Sequence, residues 1–226
     1  MYLLALLALL APALAVDRTS NPDLVSRLKT AATVLDRLAL LSDTDFLFDF
    51  EAQSYATYSP GGVVNANAAT FPAVVGTGMT VALLHLGPCS ILPAHLHPRA
   101  TNMVVSVQGQ VHTWMVQENG ARTVETDLTP GKLTIFPQGS VHMMQNVGCD
   151  KALLVSSLNS EDAGTHNVAN ALFGFQAGML DAVFGYSGFN GSGMRIPAVG
   201  TGAGYGSMEC LARCGLTPGY KLDEDK

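Results

Sequence analysis

The stretch PAHLHPRATN (residues 93–102) places two histidines, His95 and His97, one residue apart in an apolar, extended segment. In a β-strand, residues i and i+2 point to the same face of the sheet, so both imidazoles are expected on one side. Pro93 and Pro98 flank the pair and favour an extended backbone. Because imidazole is a common metal ligand, the stretch predicts half of a metal site inside a β fold.

A second stretch, GKLTIFPQGSVHMMQN (residues 131–146), supplies a third histidine. PQG is a predicted turn, and His142 lies at the start of the strand that follows it. Strands that meet inside a barrel can bring His142 next to His95 and His97. Three imidazole nitrogens suit Mn, Fe, Ni, Cu or Zn.

Short strands separated by turn signals surround both stretches, from residue 71 to residue 158. The predicted strands lie in MTVALLHLG, NMVVSVQG, VHTWMVQ, ARTVETDL, KLTIFP, VHMMQNVG and ALLVSSL. Many short strands at regular spacing are typical of a sandwich or a barrel. The fold is therefore predicted to be mainly β.

Helices are predicted on both sides of this β region. Residues 21–41 begin with a capping asparagine and a proline, and their apolar residues follow a helical stripe, which predicts one amphipathic helix of about five turns. Residues 42–70 are turn-rich and read as an arm, whereas helical spacing returns from Val168 to Val183. We divide the chain into a signal peptide (residues 1–15), an N-terminal helix (16–43), a barrel (44–159) and a C-terminal helical extension with a Gly-rich loop and a charged tail (160–226).

Composition narrows the class of protein. The chain has 226 residues, 48% of them hydrophobic, and a net charge of -6 without a Lys/Arg cluster, which argues against a nucleic-acid partner.

The N-terminus carries an apolar run over residues 2–10, followed by Ala13-Leu14-Ala15. This pattern is typical of a cleaved signal peptide, and a buried N-terminal helix is the alternative. Since no second apolar run has membrane-spanning length, the mature protein is predicted to be secreted and not to bind membranes.

An even number of cysteines in a secreted chain indicates two disulfides. The cysteines are Cys89, Cys149, Cys210 and Cys214. The last two lie four residues apart in a predicted short helix, where they are poorly placed to bond each other. Either each reaches a partner in the body of the protein, or Cys89 pairs with Cys149. A glycosylation sequon begins at Asn190.

The two histidine-bearing stretches resemble the two cupin motifs. GPCSILPAHLHPRATNMVVSVQG (residues 87–109) is similar to the first motif, with its H-x-H, its acidic position and its closing glycine, and residues 131–146 are similar to the second. The matched positions are Gly87, His95, His97, Gly109, Gly131, Pro137, Gly139, His142 and Asn146. With its leader, its HPRAT segment and its flanking helices, the chain resembles germin-like proteins, and among them the fungal spherulin-like branch, over residues 44–215.

The resemblance implies a single cupin barrel (a double-stranded β-helix, or jelly roll) with N-terminal and C-terminal helical extensions, assembled as a homo-oligomer. It also implies manganese as the cofactor, held by His95, His97 and His142. The family's fourth ligand is a glutamate, and Asn102 stands in its place. Since an amide coordinates only through a neutral oxygen, Cu, Fe, Ni and Zn become alternatives to Mn. Strict alternation would turn residue 102 away from residue 97, so a bend or bulge is expected between them.

Two functions are compatible with these observations. The resemblance implies a metal-dependent oxidoreductase of the oxalate oxidase or superoxide dismutase type, acting on a small-molecule substrate. The alternative is a non-enzymatic extracellular structural or storage cupin whose metal site is weak or absent. The sequence assigns no catalytic residue, and Arg99 is expected to pair with a neighbouring acid rather than with a substrate.

Overall fold

The computed structural model describes residues 18–185 and 202–221. The predicted signal peptide (residues 1–15), the sequon at Asn190 and the last residues of the charged tail lie outside the described residues. Within the described ranges, no helix combines the length and the apolarity needed to cross a membrane.

The described residues form two antiparallel β-sheets packed face to face. The first sheet contains β1 (Gly61–Ala66), β2 (Thr80–Leu86), β4 (Asn102–Gln108), β7 (Leu133–Phe136) and β9 (Ala152–Leu158). The second contains β3 (Ser90–Leu96), β5 (Val111–Val116), β6 (Val124–Leu128), β8 (Val141–Asn146) and the short β10 (His166–Asn167) and β11 (Gly204–Tyr205). Helices lie before and after these strands: α1 (Pro22–Thr30), α2 (Val34–Leu38), α3 (Val168–Leu172), α4 (Ala177–Val183) and α5 (Met208–Arg213), with 3-10 turns at Asp43–Phe46 and Pro72–Val74.

The strand order is that of a jelly roll. The first sheet runs β1-β2-β9-β4-β7 and the second β10-β3-β8-β5-β6, with β11 added to β3. From β2 to β5 the chain changes sheet at every connection, so each sheet is built from strands distant in sequence. The predicted mainly β jelly roll with flanking helices is thereby confirmed.

The core lies between the two sheets because inward-facing apolar positions alternate with outward-facing positions along the strands. In β9, every second residue is buried, from Ala152 to Leu158. The main cluster combines side chains from both sheets: Ala82, Leu84, Leu86, Leu92, Val104, Val111, Leu128, Phe136, Met144, Ala152 and Leu154. The histidine-bearing ends of β3 and β8 therefore rest on a packed apolar support.

The prediction that residues 42–70 form only an arm is wrong at β1. Gly61–Ala66 pairs with β2 in an antiparallel register. The strand was not predicted because two glycines at its start lower its strand propensity. These glycines are needed because a Cβ at Gly61 would lie 2.4 Å from the carbonyl oxygen of His85, and one at Gly62 would lie 1.9 Å from that of Tyr55. At Gly62 the arm thus crosses the strand at a distance that only glycine permits.

The N-terminal segment contains two helices rather than the single five-turn helix predicted. Ala31 adopts an extended backbone after α1, and Thr33 begins α2 with a capping box to Asp36. The Thr33 hydroxyl accepts from the Asp36 amide while the Asp36 carboxylate accepts from the Thr33 amide, which stabilises a new helix start in place of continuation. Leu28 anchors α1 against Ala68 and Val75.

The C-terminal segment is also divided, since α3 ends before Gly174 and α4 begins at Ala177. The disulfides are Cys89–Cys210 and Cys149–Cys214. Each cysteine of α5 thus reaches a partner in the barrel, and the alternative Cys89–Cys149 pair is wrong. The two bonds fasten α5 to the loops that precede β3 and follow β8.

Candidate metal centre

His95, His97 and His142 meet at one end of the barrel. His95 in β3 lies directly opposite His142 in β8, and their ring centroids are 4.3 Å apart. His97 lies just beyond the end of β3. Its ring centroid is 5.2 Å from that of His95 and 5.3 Å from that of His142. One nitrogen from each ring lies within 4.8 Å of the other two, which makes the three histidines a group that could hold a metal ion.

A bulge in β3 turns these histidines inward. Leu92 pairs with Met144 and His95 with His142, so three steps along β3 match two along β8. Leu92 and His95 are consequently both buried, although strict alternation would put them on opposite faces. The H-x-H spacing explains why the two histidines share a side, whereas the bulge explains why that side is the interior.

Each imidazole is held by a backbone carbonyl at its Nδ1. His95 Nδ1 lies 2.7 Å from the oxygen of Pro93, His97 Nδ1 2.7 Å from that of Gly164, and His142 Nδ1 3.0 Å from that of Ser140. A carbonyl oxygen only accepts, so every Nδ1 carries the proton and donates it. All three Nε2 atoms are left as lone-pair donors, which is the arrangement of histidines that bind metals.

The protein environment keeps these imidazoles neutral. Burial lowers the pKa of His95 to about 4, with a contribution from neighbouring His97. Burial also lowers the pKa of His142 to about 3, with His95 contributing, and it lowers the pKa of His97. A neutral ring retains the lone pair that a metal needs.

The position of His142 is further set by packing. Its ring stacks on Phe136, with centroids 4.1 Å apart and planes inclined by 9°. Its Nε2 is buried and has no hydrogen-bond partner among the described residues. An unpaired buried nitrogen is costly unless something fills the position, and a metal ion would satisfy it. The three residues therefore fit a bound transition metal.

Asn102 adjoins this group from the opposite sheet. The chain leaves the second sheet after Leu96 and enters the first sheet at Asn102, so the bend expected after His97 is a crossing between sheets. Asn102 is 3% exposed, its Nδ2 lies 3.5 Å from His97 Nε2, and its Oδ1 accepts a hydrogen bond of 2.5 Å from Ser156. The structure thus brings all four predicted positions together.

Arg99 supports the centre from outside. Its Nη2 donates to the Asp162 carboxylate at 2.8 Å, and its Nε donates to the Asp162 carbonyl at 2.6 Å. These contacts confirm the expected pairing with an acid. They also hold the loop whose Gly164 carbonyl accepts the Nδ1 proton of His97.

The remaining histidines are held in other ways. His85 is fully buried on β2, where its Nε2 contacts the Glu51 carboxylate at 3.0 Å. His112 on β5 bonds the carboxylates of Asp127 and Glu125 at 2.7 and 3.2 Å. Asn146, a matched motif position, is structural, because its Nδ2 donates to the carbonyls of residues 86, 87 and 150.

Two participants were missed by the sequence reasoning. Ser156 orients the Asn102 amide, and the Gly164 carbonyl fixes the His97 tautomer. They are 54 and 67 residues from their partners, and one of them acts through its backbone. No spacing or residue-type signal connects such positions; only the strand pairing does.

Comparisons with known proteins agree with the site. The cupin family model matches residues 50–188. Spherulin-1B of Physarum polycephalum is 32% identical over 92% of this chain and 84% of its own length. Germin-like protein subfamily T member 2 of Arabidopsis thaliana is 30% identical over 80% of this chain and 84% of its own length.

Among solved structures, a recombinant oxalate oxidase in complex with glycolate superposes with a TM-score of 0.54. It is 20% identical, and the match covers 67% of this chain and 85% of that one, which supports the fold. Together with the family match and the relatives, these findings place the three histidines on a known scaffold. The chain belongs to the cupin family, and its relatives are the spherulins and the germin-like proteins.

Proposed function

We propose that the protein binds one divalent transition metal through the Nε2 atoms of His95, His97 and His142. The observation that carries this proposal is the set of three Nδ1–carbonyl hydrogen bonds, which leave three neutral Nε2 lone pairs on neighbouring rings. Such a metal supplies Lewis-acid or one-electron chemistry, and the surrounding residues orient its ligands and exclude water from one side.

Family resemblance favours manganese, but the local donor set favours a different metal. Mn(II) prefers oxygen anions, and the described residues around the three histidines include no carboxylate in the group. The fourth position is the neutral Asn102. We therefore expect Cu(II), Zn(II), Ni(II) or Fe(II) to bind more tightly than Mn(II).

With a redox-active metal, an oxidoreductase of the oxalate oxidase or superoxide dismutase type remains the enzymatic proposal. The non-enzymatic alternative, an extracellular structural or storage cupin, is favoured by apolar side chains on the surface. On β4 and β7, Met103, Leu133 and Ile135 are about half exposed, and on the N-terminal segment Leu35 and Leu47 are 78% and 79% exposed. Met103 and Ile135 are paired across β4 and β7, and clustered apolar surface of this kind marks an interaction site, so we propose that the protein is a homo-oligomer.

We also propose that the protein is secreted. Two disulfides persist only in an oxidising compartment for most proteins of this size, and the leader-like N-terminus points to the same destination.

Metal content separates the two functions. The protein is purified after secretion from its expression host and analysed for bound metal. The metal is then removed, and the metal-free protein is titrated with Cu(II), Zn(II) and Mn(II). His142→Ala should abolish stoichiometric binding, whereas His112→Ala, a matched histidine change on a neighbouring strand, should not. Equal affinity of both variants would contradict the proposed site.

Activity assays then complete the test. Oxalate turnover and superoxide dismutation are measured on the metal-loaded protein. Turnover that depends on His142 would exclude the non-enzymatic function. Protein that folds and assembles without metal, and that never binds one, would exclude the oxidoreductase.

A further inference from the structure

A cavity of about 610 Å³ opens beside the three histidines. His95, His97 and Asn102 form part of its lining, so a molecule inside it would reach a bound metal. Cavities of a few hundred to about 1,000 Å³ accept organic ligands of drug-like size. The space is therefore much larger than a two-carbon acid requires.

The inner lining is apolar. Ala82, Leu84, Leu92, Met144 and Leu158 contribute to it, and each is at most 4% exposed. They come from both sheets and are part of the rigid barrel. Such a lining stabilises a ligand by removing its apolar surface from water.

Charge within the cavity is restricted to its outer part. Among the described residues that line it, the charged side chains are Lys29, Arg99, Glu161 and Asp162. None of the four is buried, and Arg99 is already paired with Asp162. The buried polar side chains near the histidines, such as Thr80 and Ser156, are neutral. A second carboxylate at the far end of a ligand's apolar body would have no buried cationic side chain to pair with, and burying an unpaired charge is costly.

We propose that the cavity binds an organic monocarboxylate with an apolar body, such as an aromatic acid. The apolar body lies against Ala82, Leu84 and Leu92, and the carboxylate points toward the three histidines. The position of the carboxylate rests on the proposed metal function; the binding of the body does not.

The probe is 2-naphthoate, titrated by fluorescence and calorimetry into metal-free and Zn(II)-loaded protein. Acetate shares its carboxylate without the apolar body, and 2,6-naphthalenedicarboxylate carries a second carboxylate at the far end of the same body. In the Zn(II) form, 2-naphthoate should bind at least about tenfold more tightly than either, because acetate lacks the carbons that fill an apolar pocket and the dicarboxylate buries an unpaired charge. Acetate or 2,6-naphthalenedicarboxylate binding as tightly as 2-naphthoate would overturn the proposal.

Variants locate the ligand. Ala82→Phe fills the cavity, and Ala82→Val is the milder step if the larger side chain prevents folding. Either should weaken 2-naphthoate binding, the Phe variant by about tenfold or more. Val81→Phe, on the neighbouring residue that faces the other side of β2, is the matched control and should leave binding unchanged. Equal binding by wild type and both Ala82 variants would place the ligand elsewhere and overturn the proposal.

The metal-free titration distinguishes the two proposals. If the protein fails to bind Zn(II), the metal function is wrong, but weaker binding of 2-naphthoate that is lost in Ala82→Phe still supports the apolar cavity. If Zn(II) binds and 2-naphthoate does not, the metal site stands and the ligand class is wrong.

Discussion

Ser156 donates a hydrogen bond of 2.5 Å to the side-chain oxygen of Asn102, which leaves the amide nitrogen 3.5 Å from His97 Nε2. The side-chain oxygen is the only Asn102 side-chain atom able to coordinate a metal, and it contacts Ser156, whereas the amide nitrogen faces His97. A serine hydroxyl also accepts, so a rotated amide would keep its bond to Ser156 and present its oxygen to the histidines. Residue 102 is therefore the position that adjusts the donor set of the centre.

Asn102→Glu should raise the affinity for Mn(II) by at least about tenfold, because a carboxylate adds a hard, anionic oxygen to three neutral nitrogens. The metal-free variant should be less stable than wild type, since the carboxylate is buried without a cation to balance its charge. Manganese titration by electron paramagnetic resonance, with melting curves in both states, measures both effects. Asn102→Gln has the same length without the charge; if it binds Mn(II) as tightly as the Glu variant, residue 102 does not face the metal.

Gly164→Ala should weaken metal binding by about 10- to 100-fold, the usual effect of disturbing the partner of a ligating histidine. Gly164 has a φ of +69°, which strains any other residue, and an added Cβ would lie 2.8 Å from Arg99 Nη2. Both effects disturb the loop whose carbonyl accepts from His97. Gly178→Ala is the control, because it lies in α4 with no atom within 4 Å of the added Cβ. Zinc titration by calorimetry compares the two; matching affinities would show that Gly164 does not position His97.

Replacing both Cys149 and Cys214 by serine should lower the free energy of unfolding by about 2–5 kcal/mol. Their bond closes a loop with a sequence separation of 65 residues and holds α5 to the barrel. Both must be changed together, because Cys214 Sγ lies 3.5 Å from Cys89 Sγ and a free thiol there could attack the other disulfide. Denaturant unfolding measures the change.

Zinc affinity is the control for the disulfide experiment. The bonds lie at the start of β3 and the histidines at its other end, so zinc affinity should be unchanged in the double variant. A variant as stable as wild type in oxidising buffer would contradict the stabilising role of this bond.

His112→Gln should destabilise the protein at low pH and leave its stability unchanged at high pH. Burial lowers the pKa of His112, but hydrogen bonds and charges from Asp127 and Glu125 outweigh it and raise the pKa overall. When the pKa of a histidine is higher in the folded state than in the unfolded state, its protonated form stabilises the fold. This contribution to the free energy of unfolding is complete below the unfolded-state pKa of about 6.5, and it is lost as the pH rises through the folded-state pKa. The effect should be about 0.2–1 kcal/mol, as for other ion pairs near the surface.

Unfolding free energies of wild type and variant at pH 5.5 and 9 measure this difference. In a protein already carrying Asp127→Asn and Glu125→Gln, the His112 change should lose its pH dependence. A difference that grows with rising pH would contradict the sign of the shift.

The strands that carry the site were predictable because their signals are local. Alternating burial in β9 and the turns around β5 to β8 can be read from neighbouring residues. β1 was missed because Gly61 and Gly62 have low strand propensity. Gly61 is required by the close approach of the His85 carbonyl in β2, and Gly62 by the arm at Tyr55. The breaks between α1 and α2, and between α3 and α4, depend on caps and glycines that compete with a continuous apolar stripe.

The sequence by itself determined the family, the three histidines and the substitution at residue 102, because motif spacing along a strand dictates which side chains share a face. The tertiary structure alone decided what these residues meet. The bulge in β3, the pairing of β3 with β8, and the contacts of Ser156 and Gly164 arise from segments 54 or more residues apart. Their approach depends on the packing of two sheets, which no local pattern records.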